Sequence, residues 1–336
     1  MSTTQNGAPM TIDEVKKLKS IKATTKEKSF DQDLVSKGPE METIDGRSYP
    51  KGTQAVKVLH GEKSFSNDAT ETDHFYPTHT DFDYFPQLEP KKNRKPKFIE
   101  RESFMSQIGV KTIFGPDDRR VYYSTVYPWR CVGKVESPLG SGSGVMIGPR
   151  HMLTCSHIID WQPNNTTGWI KFTPMYYNGS APYGSAWGIR TYYKYKVSNA
   201  GGIDGTEIQY DYVVVVLDRP LGNSIGFLGA KSYTDSWDGG AHWTHAGYPN
   251  DLTGTQRPIY QTGIALDGDF WSADDNESMT HKGDVWPGQS GGPFWGYWDG
   301  KPYAVATQSA HNPSDNFASG GSDLVDLVNR ARAEFP

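Results

Sequence analysis

Apolar residues fall into two unlike patterns along this 336-residue chain. From Val121 onward, short β-branched and aromatic runs recur between Gly, Pro and Asn, at residues 121–126, 130–135, 144–147, 151–154, 169–172, 189–197, 212–217, 260–265 and 304–309. Runs of this length, with no helical spacing between them, predict the strands of an all-β protein built as barrels or sandwiches. The run Tyr212-Val213-Val214-Val215-Val216-Leu217 is apolar at every position, as a strand covered on both faces would be. One helix is predicted at the C-terminus, where Ser322 can cap and Leu324, Val325, Val328 and Ala331 fall on one face.

The first part of the chain reads differently. Its aliphatic positions are sparse and keep no sustained period. A polar, charged stretch (Lys16, Lys17, Glu27, Asp31) gives way to aromatic, proline-broken segments at Phe75-Tyr76-Pro77 and Tyr84-Phe85-Pro86, then to the basic run Lys91-Lys92-Asn93-Arg94-Lys95-Pro96-Lys97. This predicts a largely disordered N-terminal region without a strong core, holding a short helix between Ile12 and Ile21. Composition supports a boundary: all ten Trp, both Cys and 30 of the 36 Gly lie after Lys111, whereas 18 of the 34 Lys and Arg lie at or before it. Residues 1–111 are therefore read as a polar extension and 112–336 as the folded domain. A removable propeptide and a solvated tail with no processing role both fit the extension.

The formal net charge is -5 with Lys and Arg scattered, so no nucleic-acid surface is expected. No run approaches the roughly 20 apolar residues that cross a bilayer, and no membrane partner is expected either. Residues 1–20 contain no apolar core of a secretory signal, which leaves open an intracellular location or a precursor that begins elsewhere. Asn-x-Ser/Thr matches at Asn164, Asn165, Asn178 and Asn276 are too short a pattern to weigh against that.

Candidate chemistry centres on Gly283-Asp284-Val285-Trp286-Pro287-Gly288-Gln289-Ser290-Gly291-Gly292-Pro293. A serine set among glycines can present its hydroxyl while nearby N–H groups stay bare enough to bind an oxyanion. Alone, such a turn is more often a structural one, so the reading depends on a base and an orienting acid elsewhere. His157 ends Thr154-Cys155-Ser156-His157, just past a buried strand, where an imidazole is held with one edge free to face a cleft. Asp211 stands directly before the all-apolar 212–217 run, so its carboxylate needs a donor at the mouth of a core, and a histidine Nδ1–H is one. An α/β-hydrolase elbow at Ser290 would need an acid and then a histidine downstream, and a helix opening at Pro293-Phe294-Trp295-Gly296, which that sequence does not favour. The pair His242 and His245 lacks further metal ligands nearby in the sequence.

The order His157, Asp211, Ser290 is that of the chymotrypsin group. With Gly115-Pro116-Asp117-Asp118-Arg119, Tyr127-Pro128-Trp129-Arg130, Gly142-Ser143-Gly144, Ala246-Gly247-Tyr248-Pro249 and the serine loop, residues 112 to the end resemble the chymotrypsin-fold serine peptidases, most closely their glutamyl-endopeptidase-like branch. The resemblance implies two packed six-stranded antiparallel β-barrels followed by the C-terminal helix, with His157 and Asp211 from the first barrel and Ser290 from the second. It implies serine endopeptidase activity on protein or peptide substrates, through an oxyanion hole of the Gly288 and Ser290 N–H groups. No metal or organic cofactor is called for, and a monomer and an extracellular location are expected; the alternative is a catalytically silent module of the same fold. Substrate-pocket candidates are Asp284, Thr307, Gln308 and His311. Gln308 stands where the branch carries a histidine that helps bind an acidic side chain, so a Glu preference is either lost or passed to His311. Asp284 is not read as a pocket for basic side chains, since relatives of other preference carry an acid there. By the same resemblance the extension is a propeptide, with cleavage close to Lys111. Cys131 and Cys155 could bridge the first strand to the histidine loop or stay two buried thiols.

Overall fold

The computed structural model describes residues 7–25, 41–44, 47–50, 56–60, 70–89, 112–198, 202–273 and 276–336. Six strands pair in the order Lys171–Pro174, Val132–Ser137, Gly140–Met146, His151–Thr154, Val213–Leu217 and Ala186–Tyr193. The last returns to the first through Lys171↔Trp187 and Phe172↔Ala186, which closes a barrel. Its centre is the Val213–Leu217 strand, fully buried at every position as its unbroken apolar run requires.

A second sheet runs Leu266–Ala273, Asn276–His281, Asn316–Gly320, Lys301–His311, Pro293–Trp298, Trp243–Gly247 and Ile259–Ile264. The expectation of two closed six-stranded barrels is corrected here. The second body is a half-barrel whose end strands share no ladder among the described residues. The edge of Ile259–Ile264 is taken instead by Arg120–Val121, through Ile259↔Val121 and Tyr260↔Arg120.

The C-terminal helix spans Ser322–Glu334 and buries Leu324, Val325, Leu327, Val328 and Ala331. Gly321, at φ 112°, holds the cap position, and Ser322 is the first helical residue rather than the cap. The predicted strand at 151–154 matches residue for residue, whereas 121–126 is reduced to Arg120–Val121.

Of the extension expected to be largely disordered, more than half lies outside the described residues, and parts of the rest are ordered. Residues 7–25 and 70–89 pack on the body, with Val15 and Phe82 buried. The expected short helix is the single turn Ile12–Val15, closed by a reciprocal Thr11–Glu14 capping box. The basic run and the cleavage position at Lys111 lie outside the described residues.

Candidate active site

Strand register brings His157 and Asp211 together. His151–Thr154 and Val213–Leu217 are antiparallel neighbours with Thr154 opposite Val213, so the residues just past Thr154 and just before Val213 leave the same end of the barrel. His157 lies there in the one-turn helix Ser156–Ile158, and Asp211 closes the turn Ile208–Tyr210. The Asp211 carboxylate accepts from the His157 backbone N–H at 2.9 Å and from its ring Nδ1 at 2.6 Å.

Ser290 arrives from the other sheet, and close packing joins the two. The Ser143 N–H donates to the Ser290 carbonyl at 2.8 Å, and the Ser143 hydroxyl donates to the Gly288 carbonyl at 2.8 Å. Gly291, at φ 77°, lies so near Thr154 Oγ1 that a Cβ would stand 2.1 Å from it, so no larger residue fits. Gly288 takes φ 102°, and a Cβ there would meet the Tyr248 carbonyl at 2.4 Å. Among the described residues, the N–H groups of Gly288 and Ser290 have no hydrogen-bond acceptor, whereas Gln289, Gly291 and Gly292 each donate to a carbonyl.

His157 and Ser290 line one cleft of about 360 Å³ together with Thr112, Ile203, Val285, Trp286, Pro287 and residues 308–311. Burial alone would lower the His157 pKa, but the Asp211 charge and its hydrogen bond outweigh this and hold it well above the usual value. Burial pushes Asp211 the other way, yet the His157 charge and hydrogen bonds from His157 and Ser309 hold its carboxyl below the usual range. The pair is thus set for an ionised carboxylate beside an imidazole that gains a proton readily.

Of the pocket candidates, Thr307 donates from Oγ1 to the Asp211 carbonyl at 3.2 Å. Gln308 is 3% exposed and its amide is fully engaged. Its Oε1 accepts from the His281 ring at 3.0 Å, and its Nε2 donates to the Ala310 and Phe317 carbonyls, each at 3.2 Å. His311 is exposed at the end of its strand, on the cleft wall. The Asp284 carboxylate accepts from the Phe114 and Asp118 N–H groups, both at 2.8 Å, which fixes the segment entering the domain.

Cys131 and Cys155 are free buried thiols, so the bridge between them is not made. Cys131 Sγ donates to the Ile225 carbonyl, while Cys155 Sγ lies 3.8 Å from His157 Nε2. Cys155, His157 and Asp211 offer ligand atoms within 4.8 Å of one another, a set that could hold a cation. Two of the three already bond each other through Nδ1 and the carboxylate, so a cation would compete with that pair.

Two contributors escape a reading of motifs. Ser309 Oγ donates to Asp211 Oδ2 at 2.5 Å, a second donor on the acid. The signal was the strand period: Thr307 and Ser309 share a face, and Gln308 takes the other. Arg119 is buried and forks onto Asp117 and Asp251 through Nη2 at 2.8 and 2.7 Å, while Nη1 donates to Gln289 Oε1 at 2.7 Å. The Asp-Asp-Arg motif thereby braces the residue between Gly288 and Ser290.

Residues 142–305 match the family model of the trypsin-like peptidase domain. The chain is 31% identical over 203 residues to the glutamyl endopeptidase of Bacillus licheniformis, and the match spans 60% of each protein. It is 24% identical over 234 residues to the extracellular metalloprotease of Bacillus subtilis, which takes in 66% of this chain and 69% of that one. A solved Glu endopeptidase in complex with MPD superposes with a TM-score of 0.54 at 21% identity, over 66% of this chain and all of the other.

Proposed function

We propose that this chain, which carries a trypsin-like peptidase domain over residues 142–305 on a chymotrypsin-like fold, is a serine endopeptidase working through an acyl-enzyme. The observation that carries this reading is the Asp211–His157 pair at 2.6 Å with Ser290 on the wall of the same cleft. Asp211 keeps the His157 proton on Nδ1, which leaves Nε2 as the base. Ser290 Oγ attacks the scissile carbonyl as its proton passes to Nε2. The new oxyanion lies on the Gly288 and Ser290 N–H groups, each contributing on the order of 3 kcal/mol to the transition state. The imidazolium then protonates the leaving amine, and water repeats the sequence on the acyl-enzyme.

The substrates are proteins or peptides, the enzyme acts outside the cell as a monomer, and it is made as a zymogen cut close to Lys111. A preference for Glu is lost at Gln308. With both amide ends engaged it offers neither a cation nor a spare donor to an acidic side chain. Peptides with Glu and Gln at the cleaved position are therefore expected to differ less than about tenfold in kcat/KM, a gap of about 1.4 kcal/mol. A ratio above a hundred in favour of Glu would contradict this.

Reaction with a fluorophosphonate tests the proposal against a silent module of the same fold. A covalent adduct mapped to Ser290, and absent from Asp211→Asn at the same exposure time, is expected. A folded chain that stays unlabelled at Ser290 would end the enzymatic reading.

A further inference from the structure

We infer that the N-terminal extension is a lasting second part of the folded protein: cutting the chain between residues 90 and 111 leaves residues 7–25 and 70–89 bound to the 112–336 body. Three seams carry the inference. At the first, the Met10 N–H donates to the Tyr297 carbonyl at 2.8 Å and the Ile12 N–H to the Ala241 carbonyl at 3.1 Å. The Trp298 indole N–H donates to the Gly7 carbonyl at 2.7 Å, and Val15, one turn on, is 1% exposed.

The second seam is a shared sheet. Glu71–Thr72 pairs antiparallel with Gly229–Lys231, which itself pairs with Lys301–His311. The Ala230 N–H donates to Thr72 Oγ1, Lys231 is ion-paired with Glu71, and a Cβ on Gly229 would meet the Thr72 carbonyl at 2.5 Å. A tail lying loosely on a surface needs no such clearance.

The third seam is aromatic. Phe75 and Phe227 exchange both backbone hydrogen bonds, at 3.0 and 3.1 Å. The Phe82 ring packs on Tyr127 and the Tyr84 ring on Tyr297, each pair with centroids 5.2 Å apart. Trp129, fully buried in the body, donates its indole N–H to the Asp83 carbonyl at 2.8 Å. Removing the extension would expose Tyr127 and strand that donor, so the body is complementary to the extension along its own core. Among the described residues, those lining the cleft all lie at or after Thr112, so residues 7–25 and 70–89 leave the cleft open.

The inference does not depend on the peptidase reading and is tested without it. A recognition sequence for an added protease is placed in the basic run at residues 91–97 of the full chain, and the protein is cut. Two bands on a denaturing gel but a single species of full mass in size exclusion and native mass spectrometry are expected. Release of the N-terminal fragment under native conditions, whether the remainder stays folded or aggregates, would overturn the inference. In the same cut protein, Phe82→Ala with Tyr84→Ala should speed fragment release at least tenfold. An unchanged release rate would also contradict it.

Discussion

Ser309 shows how much of this site rests on one hydroxyl. Asp211 is fully buried and must stay ionised, which needs more than the two donors of His157. Ser309 supplies the third at 2.5 Å. A hydrogen bond to a charged group contributes roughly 1.5–3 kcal/mol, so Ser309→Ala is expected to lower kcat about tenfold or more. KM should hardly change, because Ser309 acts through Asp211; a raised KM at constant kcat would refute that role. The same electrostatics set the pH profile. The base must be neutral to accept the Ser290 proton, and Asp211 holds the His157 pKa well above its ordinary value of about 6.5. The acid limb of kcat/KM is expected above that value, with activity falling as pH drops through it. A limb at or below about 6 would contradict the pairing. His157, Asp211 and Ser290 could be proposed from the sequence because each sits in a distinctive local context, whereas Ser309 is a plain serine in a strand whose partner lies 98 positions away.

At the scale of elements, the Asp117-Asp118-Arg119 motif explains why the serine loop keeps its shape. Arg119 joins Asp117 and Asp251 to Gln289, the residue between Gly288 and Ser290. Arg119→Lys keeps the charge but loses the planar fork. It is expected to lower kcat about tenfold with a smaller effect on KM, measured on a peptide substrate alongside thermal unfolding. A lower melting temperature with unchanged kcat would make the clamp purely structural. The strands differed in how well they could be read. His151–Thr154 and Val213–Leu217 are short buried apolar runs and announced themselves. The hairpin Leu266–Ala273 and Asn276–His281 mixes Asp267, Gly268, Glu277 and Thr280 into its pattern, and so passed unnoticed. Its ladder to Asn316–Gly320 comes from pairing across the sheet, which local propensity does not encode.

For the whole molecule, the boundary at residue 111 separates two compositions but not two independent bodies. Sparse aliphatic residues hid the packing of the extension, because its anchors are single aromatic rings and backbone bridges rather than a periodic face. The closed first barrel followed from its strands, while the second sheet stays open, with Arg120–Val121 paired on the edge of Ile259–Ile264. What unites these parts is the meeting of Ser143 with the serine loop, and Ser290 and His157 line one cleft. The most direct measurement is hydrolysis of a mixed peptide library by the wild-type chain and by Ser290→Ala prepared in parallel. Cleavage by the wild type, lost by at least a thousandfold in a variant that folds equally well, is the expected result. Equal cleavage by both proteins would contradict the account.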